Sequence, residues 1–109
     1  MTWQVVFLHS AEQDLKALQT YLVKRFGQAV WQESYQGIKE RVNTLKSFPL
    51  SGSIPEELES LHFNHYRQVI SGMNRIIYEI RQDTIYIHIV CDTRKDMKSL
   101  LTRRLLRST

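Results

Sequence analysis

The apolar positions at the start of the chain predict a strand followed by a helix. Residues 3–8 (WQVVFL) form a short apolar run, which is typical of a buried strand. Ser10 and Gln13 have the spacing of a capping box, and they predict a helix over residues 11–26 that ends at Gly27. The apolar stripe of this helix consists of Leu15, Leu18, Leu22 and Phe26, widened by Tyr21 and Val23.

A second helix and a loop come next. Apolar residues at helical spacing predict a helix over residues 29–47, joined to the first by about two residues, so the pair forms an antiparallel hairpin. Residues 49–61 are rich in turn formers and then acidic, which predicts a loop with one helical turn that starts at Pro55. We expect its acidic side chains to be solvated rather than to bind a metal; they are Glu56, Glu57 and Glu59.

The second half of the chain changes to the two-residue period of strands. Residues 66–70, 75–81 and 84–91 are predicted strands, separated by turns at Ser71-Gly72 and Gln82-Asp83. The second of these turns fixes the register of a hairpin. It sets an apolar face of Ile80/Ile85, Tyr78/Ile87 and Ile76/Ile89 against a mostly polar, open face of Arg81/Thr84, Glu79/Tyr86, Ile77/His88 and Arg75/Val90.

The end of the chain returns to helical spacing over residues 95–107. The order of elements is therefore β-α-α-β-β-β-α. We predict a single domain over residues 1–109 of the two-layer α+β class, in which the helical hairpin packs on a small, twisted and mainly antiparallel sheet. The apolar side of the last helix carries Met97, Leu100, Leu101 and Leu105, widened by Leu106.

Composition excludes several classes of protein. With 42% hydrophobic and 24% charged residues, the sequence is that of a globular protein rather than a disordered one. No apolar run approaches the roughly 18 residues of a membrane span, and no signal-peptide pattern is present, so we expect a cytoplasmic protein without a membrane partner. Cys91 is the only cysteine, which excludes an internal disulfide and a cysteine-rich zinc site.

The net charge of +4 is concentrated at one end of the chain. Residues 1–91 carry nine basic and nine acidic side chains, whereas residues 92–109 carry six basic and two acidic ones. A neutral body with a basic end suggests an anionic partner that binds locally.

No strong catalytic motif is present. The glycines are isolated, so there is no phosphate-binding loop, and the sequence has neither a nucleophile elbow nor a zinc-protease helix motif. His62 and His65 have a spacing that occurs in metal sites, but no partner ligands accompany them. We expect neither a metal nor a cofactor.

Two arginines and a histidine form the most specific constellation. The predicted hairpin brings Arg75 and Arg94 to the same end of the sheet and places His88 on the face of Arg75. Two guanidinium groups and an imidazole could hold a phosphate and transfer a proton. The alternative is that the arginines pair with Asp92 and Asp96 and that His88 only packs against its strand neighbour.

Two weaker signals concern partners. Basic sheets that carry aromatic residues bind nucleic acid, but Tyr86 is the one aromatic side chain that the register places on the open face. The leucine stripe of the last helix offers a second possibility, because a helix or strand of a partner could cover whatever part of it the body leaves exposed.

Taken in order, several segments resemble the RelE/ParE superfamily of bacterial type II toxin-antitoxin systems, also labelled plasmid stabilisation proteins. The resemblance covers nearly the whole chain. It implies the fold derived above, and a toxin that is neutralised by an antitoxin wrapping a helical or extended segment around it. The segments are SAEQDL (10–15), YLVKRFG (21–27), LKSFPLSG (45–52), PEEL (55–58), Arg67, NRIIYEI (74–80), RKD (94–96) and LLTRRLL (100–106).

The superfamily has two main activities, and the residues at its motif positions separate them. RelE-like members are metal-free ribonucleases that cleave mRNA in the ribosomal A site, and ParE-like members poison DNA gyrase. The two RelE arginines match Arg75 and Arg94, but the lysine pair falls on Tyr66 and Gln68, and the catalytic tyrosine falls on Leu100. A ribonuclease built on this chain would need a substitute base, and His88 is the candidate.

The resemblance therefore favours a ParE-like inhibitor of DNA gyrase, held by a cognate antitoxin in a hetero-oligomer or present as a homodimer. The alternatives are a ribosome-dependent ribonuclease that uses Arg75, Arg94 and His88, and an inactive relative that only binds an antitoxin. The expected target-binding residues are Arg67, Arg75, Tyr86, Arg94, Lys95 and Asp96. The expected antitoxin-binding residues are Leu100, Leu101, Arg104 and Leu105.

Overall fold

A four-stranded sheet carries a helical hairpin in the computed structural model, which describes residues 3–59, 65–94 and 96–107 and gives the backbone alone for Met97 and residues 105–107. The strand order is β1-β4-β3-β2, with β1 parallel to β4 and the other pairs antiparallel. The predicted α+β class is confirmed, and the helical turn predicted at Pro55 is the short helix α3. The elements are β1 (Gln4–Phe7), α1 (His9–Phe26), α2 (Gln28–Leu45), α3 (Glu56–Glu59), β2 (Tyr66–Ser71), β3 (Asn74–Arg81), β4 (Thr84–Asp92) and α4 (Met97–Arg107).

The first helix starts without a side-chain cap. Leu8 is its N-cap residue and makes no capping side-chain bond, so the capping box assigned to Ser10 and Gln13 is wrong. The chain passes from β1 straight into α1, because the Leu8 N–H still donates to the Ile87 carbonyl of the sheet (3.1 Å). Ser10 is left inside the first turn of α1, where its hydroxyl lies 3.4 Å from the backbone carbonyl of His88 in β4.

The connection between the two long helices is shorter than expected. Gly27 alone links α1 to α2, at φ +99°, where about two residues were predicted. Its N–H donates to the carbonyls of Leu22 and Val23, which closes α1 in a conformation that glycine adopts without strain. α2 then ends at Leu45, two residues before the predicted end.

The first strand lies at the edge of the sheet and is not buried. Gln4 and Val6 are exposed, while Val5 and Phe7 are half-buried against the hairpin. The apolar run that predicted a buried strand therefore forms an edge strand. The face of this strand that carries Gln4 and Val6 is exposed.

The register between β3 and β4 changes in the middle of the hairpin. The four pairs nearest the Gln82-Asp83 turn, from Arg81/Thr84 to Tyr78/Ile87, are confirmed. β4 then contains one extra residue, His88, so each predicted pair beyond this point is wrong by one position. The observed pairs are Ile77/Ile89, Ile76/Val90, Arg75/Cys91 and Asn74/Asp92.

The turn between β2 and β3 is also displaced from its predicted place. Ser71 pairs with Asn74, so the turn consists of Gly72 and Met73 rather than Ser71 and Gly72. Gly72 has φ +58°, which explains why the glycine occupies the first turn position.

Both faces of the sheet are covered, which corrects the expectation of an open polar face. The larger core lies between the sheet and the α1–α2 hairpin. On the other face Ile77 and Ile89 point away from the hairpin. α3 and α4 cover these apolar side chains at the middle of β2, β3 and β4. This second cluster contains Leu58, Tyr66, Ile77, Ile89 and Leu101.

The segment after α2 is fixed to the sheet by Tyr78. Its hydroxyl donates to the Pro49 carbonyl (2.7 Å) and accepts the Gly52 N–H (3.0 Å). A Cβ atom at Gly52 would collide with the Gln68 carbonyl oxygen and lie 2.6 Å from the Tyr78 hydroxyl, so only glycine fits against the strand. Among the described residues, no helix is long and apolar enough to cross a membrane.

Replacing Tyr78 with phenylalanine leaves the Pro49 carbonyl and the Gly52 N–H without this hydroxyl partner. We expect Tyr78→Phe to lower the free energy of unfolding by about 1–3 kcal/mol, measured by urea denaturation. Tyr35→Phe is the matched control, because Tyr35 is exposed and stacks on Trp31 through its ring. Equal stability of the two variants would contradict the role assigned to the Tyr78 hydroxyl.

Candidate functional site

The first predicted site residue, Arg75, is held inside the fold by an acidic and an amide side chain. Its guanidinium donates to both carboxylate oxygens of Glu57 (3.0 and 3.1 Å) and to the amide oxygen of Gln68. The Arg75 side chain is 11% exposed. This hydrogen bond from Arg75 is the main cause of a lowered pKa of the Glu57 carboxyl. Glu57 is thus an ion-pair partner, which corrects the expectation that it is solvated.

The second predicted group, His88, is buried beside a carboxylate. Its Nε2 lies 2.8 Å from Oε1 of Glu79, which also accepts a hydrogen bond from Arg81 (2.9 Å). Burial lowers the pKa of His88, although its hydrogen bond to Glu79 works in the opposite direction. Burial alone would raise the pKa of Glu79, but the hydrogen bonds from Arg81 and His88 outweigh it and lower that pKa. The imidazole therefore has an internal partner and faces no open site.

The remaining arginine of the predicted constellation is exposed rather than buried. Arg94 is exposed, and its backbone and guanidinium N–H groups donate to the carboxylate of Asp92 (2.7–3.0 Å). This ion pair is the one expected in the alternative interpretation. Asp96 is exposed and binds the backbone and hydroxyl of Ser99, which places it at the start of α4 as a cap. Lys95 lies outside the described residues.

The predicted target-binding residues do not share one surface. Arg67 lies opposite Tyr78 on the hairpin side of the sheet, where it donates to the Gly52 carbonyl (2.7 Å). Tyr86 lies on the opposite face, the face of Glu79, with the Arg81 guanidinium over its ring at 4.8 Å. The strand register therefore separates residues that the sequence had grouped together.

The surface carries a groove of about 1330 Å³, which we call the hairpin groove. It runs between the second half of α1, the start of α2, the end of β4 and α4. Apolar side chains form much of its wall, and several of them remain half-buried or exposed. They are Leu18, Tyr21, Leu22, Phe26, Val30 and Leu100.

The sequence reasoning assigned the stripe of α1 to the core and so missed the hairpin groove. Ala11 is the one described residue of α1 that is fully buried, whereas Tyr21 and Phe26 are 46% and 58% exposed. A signal was present, since Tyr21 and Val23 make the stripe wider than one packed face needs.

A carboxylate and a guanidinium join the groove to the sheet. Asp14 of α1 accepts two hydrogen bonds from Arg104 of α4 (2.9 and 3.1 Å) and a third from the Val90 N–H of β4 (3.0 Å). Arg104 also donates to the His88 carbonyl (3.0 Å). The bound pair lies at the floor of the groove, and the arginines at its exposed rim are Arg25, Arg94 and Arg103.

The residues expected to bind an antitoxin separate into two groups. Leu100 and Arg104 line the hairpin groove. Leu101 is fully buried against the second face of the sheet, so it is not available to a partner while α4 is docked. The side chain of Leu105 lies outside the described part of the structure.

Metal chemistry finds no support in the described ranges, where no cluster of three histidine, cysteine or acidic side chains occurs. His62 lies outside those ranges, and His65 is 3.8 Å from Glu79. Burial raises the pKa of the Cys91 thiol to about 11, so the thiolate is not formed at neutral pH.

Comparisons with known proteins give one family and several structural likenesses, among them chains of two toxin-antitoxin systems. A sequence model of the ParE toxin of the type II toxin-antitoxin system parDE matches residues 5–97. No curated protein sequence matches this chain.

The structural likenesses establish the fold alone, since both identities are low. A chain of the chromosomal ParDE toxin-antitoxin system from P. aeruginosa superposes with a TM-score of 0.69 at 17% identity, over 84% of this chain and 96% of that one. A chain of the RelBE toxin-antitoxin complex from Mycobacterium tuberculosis does so with a TM-score of 0.56 at 21% identity, over 84% and 99%.

The buried pair of His88 and Glu79 should make the fold sensitive to acid. Because the folded state lowers the pKa of His88 below its usual 6.5, the unfolded chain binds that proton more readily, and stability falls as the pH drops through about 6.5. The lowered pKa of Glu79 adds a second loss as the pH falls through 4.5 and below.

Urea denaturation at about pH 7.5 and about pH 5 tests the first of these losses. We expect His88→Gln, whose amide can still bond to Glu79, to lose less stability between the two pH values than the unmodified chain. His9→Gln is the control, because His9 is exposed. If His88→Gln keeps the original pH profile, His88 is not the group responsible.

Proposed function

This chain belongs to the ParE toxin family of type II toxin-antitoxin systems, and we propose that it arrests growth inside the cell by inhibiting DNA gyrase, without breaking a bond itself. The observation that supports a non-catalytic role is the ion pair of Arg75 with Glu57. The Arg75 guanidinium already donates to both carboxylate oxygens of Glu57 and to the amide oxygen of Gln68, so no second pair of its N–H groups is left to hold a scissile phosphate through two hydrogen bonds.

The position of His88 supports the same proposal. A general base must reach the proton that it abstracts. His88 is 6% exposed and bonded to Glu79, so it cannot approach a ribose hydroxyl without leaving the fold. The other expected catalytic group, Arg94, is paired with Asp92 and extends into solvent.

We propose further that a cognate antitoxin occupies the hairpin groove. Exposed aromatic and aliphatic side chains in a groove of this size are typical of a surface that receives an amphipathic helix. The rim carries Arg25 and Arg103 but also Glu33 and Asp96, which favours charges of both signs at the edges of the bound segment. In this proposal Leu100 and Arg104 contact the antitoxin, while Leu101 supports α4 from below.

A supercoiling assay tests the proposed target. We expect the purified chain to inhibit supercoiling of relaxed plasmid by gyrase and to cause cleaved DNA to accumulate, and we expect the antitoxin to reverse both effects. Arg94→Ala should weaken inhibition by about tenfold, since the guanidinium, although paired with Asp92, is 71% exposed and can contact the target. Lys16→Ala, on the exposed face of α1, is the control.

Three outcomes would contradict this proposal. If the folded chain leaves supercoiling unchanged, gyrase is not the target, and if expression of soluble chain does not slow growth, it is the inactive relative. If primer extension shows new 5′ ends in translated mRNA, it is the ribonuclease. Arg75→Ala and Glu57→Ala then provide a matched pair: both break the same ion pair, but only the first removes the arginine.

Substitutions in the hairpin groove test the antitoxin site. Phe26→Glu should weaken the complex with the antitoxin by about 30-fold or more, because it places a charge on an apolar contact. Phe48→Glu makes the same change at a side chain that is 64% exposed and lies outside the groove. Calorimetry should find that control unchanged, and equal losses in both variants would contradict the assignment.

A further inference from the structure

A second cavity, which we call the edge cavity, opens between β1, the first half of α1 and the outer side of α2. Its volume is about 350 Å³, and it shares no lining residue with the hairpin groove. Pockets that bind small molecules in proteins have volumes of roughly 300–1,000 Å³. The sheet ends at β1, so no further strand of the described chain covers Val5 and Phe7 where they face the helices. The edge cavity therefore has the size of a small-molecule site.

One side of the edge cavity is apolar. Val5, Phe7 and Leu15 line it and are half-buried, and Val42 of α2 lies buried behind them. A hydrocarbon or aromatic group placed against these side chains would leave water together with them, which is the main favourable contribution to binding in such sites. The cavity therefore favours a ligand with an apolar body.

The other side of the edge cavity is cationic. Lys39 lies on α2, and Lys46 follows the end of this helix, two helical turns further on. Neither lysine forms an ion pair with another residue of the described ranges. The Lys39 ammonium lies 5.1 Å from the centre of the Tyr35 ring, which itself stacks on the buried Trp31. Two lysines without a carboxylate partner favour an anionic group on the ligand.

Glu12 of α1 is the one acidic side chain that lines the edge cavity. It is exposed, and like the two lysines it forms no ion pair within the described ranges. The lining thus carries two positive charges and one negative charge. This balance suits a ligand with a single anionic group, and it predicts that loss of the Glu12 charge strengthens binding.

We propose that the edge cavity binds a small carboxylate with an apolar body, either an acyl or an aryl carboxylate. The apolar body packs against Val5, Phe7 and Leu15, and the carboxylate lies between Lys39 and Lys46. This inference goes beyond the proposed function and does not depend on it, because the edge cavity is separate from the hairpin groove and its test needs neither gyrase nor an antitoxin.

Titration of the isotope-labelled chain, followed by the NMR signals of its backbone amides, tests where such a ligand binds. Decanoate serves as the acyl probe and 1-naphthoate as the aryl probe, both below the concentrations at which they aggregate. We expect at least one of them to shift the signals of residues 5–7, 12–15 and 39–46 until they saturate. The probe that binds more tightly identifies the class of carboxylate.

Two further probes separate charge from apolar contact. Acetate has the carboxylate without the apolar body, and 1-decanol has the apolar body without the charge. Acetate should bind at least about tenfold more weakly than the better carboxylate probe, and 1-decanol about fivefold more weakly than decanoate. The inference fails if neither carboxylate shifts these signals, if the shifts are confined to residues 17–30 around the hairpin groove, or if acetate binds as well as the larger probes.

Substitutions of opposite sign provide an independent measurement. The double variant Lys39→Ala with Lys46→Ala should weaken binding of the better carboxylate probe by about fivefold, whereas Glu12→Gln should strengthen it by about twofold. Lys16→Ala with Lys24→Ala is the matched control, because these exposed lysines of α1 line neither cavity. Equal losses in the two double variants would overturn the inference, as would weaker binding by Glu12→Gln.

Discussion

The extra residue in β4 determines how the helices attach to the sheet. His88 has no partner in β3, so the backbone around it is released from the regular ladder and needs other partners. Ser10 and Arg104 approach the His88 carbonyl, and Asp14 accepts the Val90 N–H. One bulge thereby fixes the first turns of α1 and the middle of α4 against the same strand, although the two helices are at opposite ends of the chain.

The same extra residue decides what the second face of the sheet can do. It brings His88 to the side of Glu79 and leaves Ile89 facing Ile77, so a buried hydrogen-bonded pair and an apolar cluster lie next to each other. α3 and α4 close over them. α3 also carries Glu57, whose carboxylate forms an ion pair with the guanidinium of Arg75. The face of the sheet on which the family resemblance places catalytic residues is thus filled by the chain's own side chains.

The parts of the fold that the sequence predicts are those set by local pattern. The pairs next to the Gln82-Asp83 turn follow from turn length, and the helical hairpin follows from the apolar period. The bulge at His88 does not follow from local pattern. A strand with one extra residue keeps the alternation of apolar and polar residues on either side of it, and only the phase of that alternation is shifted. The site was harder to predict for the same reason: the partner of Arg75 is Glu57, which is distant in the sequence and has no periodic relation to it.

The incomplete burial of α1 follows from where it is attached. Ser10 and Asp14 tie its first half to β4, where Ala11 is fully buried. The helix is about 27 Å long, and in its second half, beyond these two contacts, Tyr21 and Phe26 remain 46% and 58% exposed. Burying one such side chain contributes about 1.5–3 kcal/mol. In the chain alone these side chains stay exposed and do not contribute this free energy. A partner helix bound in the hairpin groove would bury them and gain it, with no unfolding of the chain.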